Sequence, residues 1–284
     1  MSFEAVRARL NLLAVLPNLE DVVRYDPEAA ELVKGARITI QFIVAGGPKA
    51  FVRIADGACT VGSGMAPGVR PGRAVKGGPG AAGASPGAGA SPGAGDGKEA
   101  TVVLAFASCA HLNKMFDGKS NPIPLWGFNK LGFLSGQFTK LTERMAYFLK
   151  PTDELLKDPD YLALNTRLTL NTAAFAVPVL LAHDPDCRHL AHALTGGSIG
   201  VKVLPDGPSV SLLLGPGGVR PLRGDVENPS GVILMRDLQI ASAYLNGKLD
   251  TFTAAAKGEV QIWGQIGKIE AVGLVLDRVP KYLS

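Results

Sequence analysis

Three histidines near the middle of the chain have the spacing that most resembles a metal site. His189 and His192 stand three positions apart, so a helix places both imidazoles on one face, and imidazole nitrogen is a common zinc ligand. His183 precedes them and adjoins Asp184. A single helical histidine pair is more often an exposed or capping feature than a ligand set. We therefore predict no metal site.

The cysteines and the remaining histidine lack the neighbouring residues that nucleophilic or redox chemistry requires. The cysteines are odd in number and share no CxxC spacing, which is typical of reduced thiols in a cytoplasmic protein; they are Cys59, Cys109 and Cys187. His111 follows Cys109 by two residues, a separation that directs helical side chains to different faces. Neither paired carboxylates nor a nucleophile triad emerges. The sequence predicts no catalytic residues, no cofactor and no enzymatic activity.

A glycine-rich turn at 215–218 has the composition of a phosphate-binding loop but not its context. Such a loop must open a helix whose N-terminal amides face the anion. Here the following residues, Val219 to Leu222, include a proline and have the pattern of a strand. We therefore expect a turn between strands and no bound nucleotide.

Composition narrows the class of protein further. Apolar residues make up 46% of the chain and charged residues 19%, which is typical of a globular protein. The net charge of +4 is scattered, so nucleic acid is not an expected partner. Charged residues near the N-terminus argue against a secretion signal, and the longest apolar run, residues 173–182, is about half the roughly 20 residues of a membrane-spanning helix. We expect a soluble, cytoplasmic protein.

The elements that must position any site occur twice. Residues 101–149 and 231–276 each have the pattern of a strand, a short helix, a second strand and an amphipathic helix. We align the second strands as 133–138 and 259–266, because each contains a Gly-Gln pair. The expected helix caps and terminators are Ser108 with Gly118 and Asp237 with Gly247.

Each block follows an opening helix and a three-stranded meander. The helices are expected at residues 3–16 and within 151–182, the second with a kink at Pro178. Asp26-Pro27 and Asp184-Pro185 each resemble the start of a short helix. Alternating apolar residues predict these strands: Ile38–Phe42, Phe51–Ile54, Ala58–Gly64, Ile199–Leu204, Val210–Leu214 and Val219–Leu222.

The duplication predicts an α+β protein of two domains, residues 1–150 and 151–284. Residues 66–98 include GASPGAGASPGAG and almost no large apolar side chain, so we expect a flexible loop between two strands of the first domain. A tolerated insertion explains it more simply than a tether or a lid over a pocket.

The segment GEVQIWGQ at 258–265 follows a helix that ends in Asn246-Gly247-Lys248. This segment resembles the closing signature of the sterol carrier protein 2-like domains. The resemblance extends over each half almost end to end. The first copy departs from the signature: Lys130 stands in the place of Gly258, and residues 121–124 lengthen the preceding connection.

This resemblance implies, for each half, a five-stranded, mostly antiparallel sheet covered by helices on one face. It also implies an apolar tunnel between the layers that accepts lipids, fatty acyl chains or isoprenoid-like molecules, and no catalytic residue set. The expected lining residues are apolar side chains of the duplicated helices and strands: Phe106, Leu112, Met115, Phe116, Phe133, Phe138, Met145, Leu234, Tyr244, Leu245, Ile262, Ile266 and Ile269. For each of them, ordinary core packing is the competing interpretation.

Two functions follow as hypotheses. The first is a non-enzymatic tandem protein that carries or presents a hydrophobic ligand, with transient membrane contact. The alternative is a scaffold or accessory subunit of an enzyme complex, in which the paired domains contact a protein partner or form a homo-oligomer. The sequence does not identify the ligand.

Overall fold

A computed structural model describes residues 1–69 and 100–283, and the predicted loop at 66–98 lies mostly outside these residues. The helices of the first half are α1 Phe3–Leu10, α2 Asn18–Tyr25, α3 Pro27–Val33, α4 Cys109–Phe116, α5 Leu131–Phe133 and α6 Thr139–Leu149. Those of the second half are α7 Pro159–His183, α8 Leu238–Leu245, α9 Thr251–Ala256, α10 Ile266–Leu276 and α11 Val279–Leu283. The strands are β1 Ile38–Val44, β2 Lys49–Ala55, β3 Ala58–Ser63, β4 Ala100–Phe106, β5 Ile123–Trp126, β6 Ser198–Val203, β7 Ser209–Gly215, β8 Gly218–Arg223, β9 Gly231–Met235 and β10 Val260–Gly264.

The strands form two five-stranded mixed sheets of the same topology. The strand order is β3-β2-β1-β4-β5 in the first sheet and β8-β7-β6-β9-β10 in the second. In each sheet the central strand pairs in parallel with one neighbour, β1 with β4 and β6 with β9, and the other pairs are antiparallel. The turn at 215–218 joins β7 to β8 in an antiparallel hairpin, as expected from its sequence context. The α+β class and the mostly antiparallel sheets are confirmed.

The predicted helix signals are present in both copies. The side chain of Ser108 accepts a hydrogen bond from the His111 amide at 3.1 Å, and that of Asp237 accepts one from the Ile240 amide at 2.8 Å. The glycines after these helices adopt left-handed backbone angles, with φ of 71° at Gly118 and 65° at Gly247. The duplication therefore extends to the capping geometry.

The predicted strand at Phe133–Phe138 is wrong. Residues 131–149 form helical turns, with a π-helical segment at Leu134–Phe138, and the closing strand of the first sheet is β5 at Ile123–Trp126. The error has a physical cause, because β5 has four residues and contains Pro124, which hides the alternation of a strand.

The structural counterpart of Gly264 is consequently Gly127, which follows Trp126 as Gly264 follows Trp263, and not Gly136. Gly127 and Gly264 have φ of 83° and 87°. A Cβ on Gly127 would lie 2.6 Å from the Thr101 carbonyl oxygen, and one on Gly264 would lie 2.2 Å from that of Ser230. Both turns therefore require glycine for the same reason. In this register Lys130 follows the turn, so it does not occupy the place of Gly258.

The opening helices cross between the two halves. Leu10 of α1 is buried in the core of the second sheet, whereas Leu12, in the π-helical turn Asn11–Val15 after α1, is buried in the core of the first. In the same way, Leu168 of α7 belongs to the first core and Leu180 to the second. Helix α7 is continuous through Pro178. The two halves therefore share their helical layer.

Polar contacts close the seam between the halves. Arg223 of β8 donates to Asp21 of α2 at 2.6 Å, and the Asn171 side chain donates to the same carboxylate at 3.0 Å. The Asn18 side chain donates to the Thr172 hydroxyl at 2.7 Å. Buried polar groups need such partners. These bonds fix the position of α2 relative to α7 and β8.

The two Asp-Pro motifs hold matching ion pairs. Asp26 starts α3 and receives two hydrogen bonds of 2.8 Å from Arg144 of α6. Asp184 accepts a hydrogen bond of 3.1 Å from the Arg278 guanidinium. It is followed by a turn and by the 3-10 helix Arg188–His192, so the predicted short α-helix is not formed there. The carboxylate is thus used in both copies to anchor the last long helix or the residues that follow it.

Candidate functional site

The candidate residues of the first copy converge on one apolar core. Four are buried, at 8% exposure or less: Phe106, Leu112, Phe138 and Met145. Three are partly buried and pack against the same core: Met115, Phe116 and Phe133. This core lies between the first sheet and its helices, where the resemblance places a ligand.

The candidates of the second copy are more dispersed. Ile269 is buried in the second core, and Tyr244 and Leu245 pack against it. Alternation along β9 places Leu234 on the face opposite the buried Ile233 and Met235.

Two further candidates of this copy are exposed at the sheet edge. Ile262 pairs with Ile233 across the last two strands but is 37% exposed, and Ile266, at the start of α10, is 52% exposed. Three of the six second-copy candidates, Leu234 included, therefore lie outside the apolar core.

The surface of the described residues includes two depressions. One, of about 370 Å³, is lined by Glu28, Leu32, Lys140, Glu143, Arg144 and Tyr147. The other, of about 190 Å³, is lined by Asp153, Leu156, Leu162, Gln239, Ser242, Ala243, Asn246 and Lys248. Neither borders a candidate residue, and both have charged rims. Leu32 of the first depression and Leu156 of the second pack against the first core, so both depressions lie at its border.

The histidine cluster is not built as a metal site. Among residues 1–69 and 100–283, no group of three or more His, Cys, Asp or Glu side chains has metal-binding geometry. His189 and His192 are exposed on the 3-10 helix, and Asp184 is engaged by Arg278 and by the Tyr282 hydroxyl at 3.1 Å. His111 bridges backbone groups: its Nδ1 accepts from the Ala107 amide at 3.1 Å, and its Nε2 contacts the Asn121 carbonyl at 2.9 Å.

The thiols are poor nucleophiles at neutral pH. Burial raises the pKa of Cys59 to about 12 and that of Cys187 to about 11. Burial also raises the pKa of Cys109. Because the thiolate is the reactive form, burial disfavours nucleophilic reaction at all three thiols.

Sequence reasoning missed a pair of exposed tryptophans. Trp126 and Trp263 are 60% and 61% exposed, each on the edge strand of its sheet and each followed by the constrained glycine. The repeated Trp-Gly pair was the available signal. The alignment on Gly-Gln concealed it, because that alignment placed Trp126 before the closing strand.

Comparison with known proteins found structural likeness only. No protein-family model and no curated protein sequence matches the chain. The ubiquinone synthesis protein UbiJ-SCP2 is 16% identical over 37% of this chain and 89% of that one, with a TM-score of 0.30. Sterol carrier protein domain 2 of Helicoverpa armigera is 17% identical over 39% and 87%, with a TM-score of 0.31. A sec-alkylsulfatase from Pseudomonas sp. is 15% identical over 51% and 28%, with a TM-score of 0.24.

At these identities and TM-scores the matches assign neither a family nor a ligand to the chain. None of the helices in the described residues combines the length and apolar composition needed to cross a bilayer. The described residues establish an α+β fold with two five-stranded sheets, each backed by its own apolar core.

Proposed function

We propose that the protein binds and carries or presents a hydrophobic small molecule, such as a lipid, a fatty acyl chain or an isoprenoid-like compound, without catalysing its conversion. Two sterol carrier protein 2-like domains, at 1–150 and 151–284, form the binding unit in this proposal. The unpaired cysteines suit a reducing cytoplasm. The motif resemblance around 258–265 supports the ligand class.

One observation carries the proposal. All seven first-copy candidates belong to, or pack against, a single apolar core between sheet and helices. Three of them, Met115, Phe116 and Phe133, form part of its partly exposed border. Methionine and phenylalanine at such a border can repack around an inserted chain. Each methylene transferred from water gains about 0.8 kcal/mol, so a long acyl chain gains enough to open the border.

Native mass spectrometry of gently purified protein, followed by solvent extraction, tests the proposal. We expect a bound hydrophobic compound, or saturable binding of a fluorescent fatty acid. Phe116→Ser and Phe133→Ser are expected to weaken binding to the first copy, whereas Phe252→Ser, at a side chain 91% exposed, is the matched control. Circular dichroism verifies that the variants fold. A folded protein that neither co-purifies with nor binds acyl or isoprenoid probes contradicts the proposal.

A scaffold or accessory-subunit role is the second candidate, and one feature favours it. Strand β10 is the edge of its sheet, contains no proline and exposes Ile262 and Trp263. An open edge strand with apolar side chains can receive a strand from another chain. Sedimentation of Ile262→Lys beside the unaltered protein tests this role. Loss of an oligomer or of a co-purified subunit supports it, and unchanged sedimentation of a monomer opposes it.

A further inference from the structure

At one end, the face of the first sheet that points away from the helices is apolar, although Gln41 of β1 and Arg53 of β2 lie on the same face. Along β4, the buried Leu104 alternates with Val103 and Ala105, which therefore lie on the outer face. The strand register places Ala105 between Ile43 of β1 and Ile123 of β5. A continuous row of apolar side chains thus crosses three strands.

A bulge adds a tryptophan to this face. Val103 pairs with Trp126 and Leu104 with Pro124, so Leu125 is the extra residue between them. Because paired residues share a face, Ile123 and Trp126 both lie on the outer side although they are three positions apart. The bulge therefore gathers apolar groups that strict alternation would separate.

The chain continues this surface beyond the strand. Five large apolar side chains between residues 123 and 131 are exposed by 37% to 62%: Ile123, Leu125, Trp126, Phe128 and Leu131. We call them the edge patch. Exposed apolar groups gathered in this way indicate a contact site.

Lysines flank the edge patch in the sequence. From Gly118 to Thr139 the sequence contains Lys119 and Lys130 and no acidic residue, whereas Lys140 lies beside Glu28 and Glu143 in the depression of the helical layer. Lys119 and Lys130 are exposed, and neither forms an ion pair within the described part of the chain. Lys49, on the outer face of β2, adds a further exposed cation. Aromatic and aliphatic groups flanked by lysines suit an anionic lipid surface.

The edge itself is a poor site for a protein strand. Strand β5 has four residues, and Pro124 within it has no amide hydrogen to donate. Such edges resist strand addition. The patch therefore favours contact through side chains over backbone pairing.

The second sheet lacks this combination. From Gly247 to Leu276 three lysines are balanced by three acidic residues. Register places Lys202 and Gln261 where the first sheet has Ile43 and Ile123, and Lys202 is paired with Asp225 at 2.7 Å. The apolar, basic outer face is a property of the first copy.

We propose that the edge patch and the adjoining outer face of the first sheet dock the protein on an anionic lipid surface. Trp126 and Phe128 would insert at the headgroup level. Lys49, Lys119 and Lys130 would face lipid phosphates. Docking here does not require ligand binding in the cores. The two proposals therefore fail independently.

The chain contains two tryptophans, which provides matched reporters. In Trp263→Phe, fluorescence reports Trp126 alone; in Trp126→Phe, it reports Trp263. With vesicles containing phosphatidylglycerol, we expect a blue shift and quenching by brominated lipid for Trp126 only. Vesicles of phosphatidylcholine alone should give neither change. A response of Trp263 alone, or equal binding to both vesicle types, overturns the proposal.

Charge variants provide the second arm. The triple variant Lys49→Gln, Lys119→Gln, Lys130→Gln is expected to lower partitioning onto anionic vesicles roughly hundredfold, at about fivefold per lysine. Lys257→Gln, in the second copy, is the control and should leave partitioning unchanged. Equal partitioning of the triple variant contradicts the proposal. A dimer that forms without vesicles and dissociates in Phe128→Ser also contradicts the proposal, because it would show that the edge patch is an interface between two copies of the chain.

Discussion

The two copies share their backbone constraints and differ on their outer surfaces. In both copies the short helix ends at a left-handed glycine. In both, the turn after the edge strand also contains a glycine, and a Cβ added there would clash with a backbone carbonyl. Both anchor the last part of the copy to an Asp-Pro carboxylate. The outer sheet faces do not match, because Ile43 and Ile123 correspond to Lys202 and Gln261. The fold constrains the turn glycines and the Asp-Pro carboxylates, whereas the residues of the outer faces are free to serve different contacts.

Substitution of the turn glycines gives the largest expected effect. Gly264→Ala and Gly127→Ala should each lower the free energy of unfolding by about 4 kcal/mol, because they add a strained φ and a clash with backbone. Gly247→Ala, where φ is also positive but space is open, should cost about 1 kcal/mol. Urea titration measures all three. If Gly247→Ala lowered the free energy of unfolding as much as the two turn variants do, the clash with the backbone would not be the reason that both turns require glycine.

The shared helical layer predicts that one helical segment stabilises two cores. Leu10 and Leu12 are both fully buried, the first in the second core and the second in the first. Leu10→Ala and Leu12→Ala should each cost about 3 kcal/mol. Hydrogen exchange should accelerate mainly in the second sheet for Leu10→Ala and mainly in the first for Leu12→Ala. The same exchange pattern in both variants contradicts the crossed arrangement.

The Asp-Arg pairs give a smaller effect that differs between copies. Removing the arginine leaves a buried carboxylate, so Arg144→Met and Arg278→Met should each cost about 2 kcal/mol, less than a fully buried pair because both arginines are about a quarter exposed. Thermal unfolding at neutral pH measures both. In Arg278→Met the Tyr282 hydroxyl still donates to Asp184. The loss of stability in Arg278→Met should therefore be smaller than that in Arg144→Met, and the reverse order would contradict this.

The pH dependence follows from Asp184. Burial opposes its ionisation, but hydrogen bonds from the Asp186 amide, Arg278 and Tyr282 outweigh burial and lower its pKa below the ordinary value. A depressed folded-state pKa contributes stability above the unfolded value of about 3.9, and this contribution is lost as the pH falls through the folded value. Acid titration of stability should show this loss in the unaltered protein and a smaller one in Asp184→Asn.

Much of the fold followed from local signals in the sequence, and the misplaced strand shows their limit. Caps at Ser108 and Asp237, the terminating glycines and the alternating meander strands are local, so they were predictable. Strand β5 is short and contains Pro124, and its identity depends on pairing with β4, which is not local. The crossing of α1 into the second core is equally non-local. The outer face could not be predicted because a bulge determines which side chains share it.

The smallest stability effect provides the sharpest contrast between the copies. Trp126→Phe and Trp263→Phe should each change the free energy of unfolding by less than about 0.5 kcal/mol, because both side chains are about 60% exposed. In buffer, acrylamide should quench the remaining tryptophan equally in the two variants. Since stability and exposure then match, any difference with anionic vesicles must come from the surroundings of each tryptophan. Protection of Trp126 alone would assign the difference to the basic, apolar face of the first copy, and equal protection would show that the exposed Trp-Gly edge alone suffices for contact.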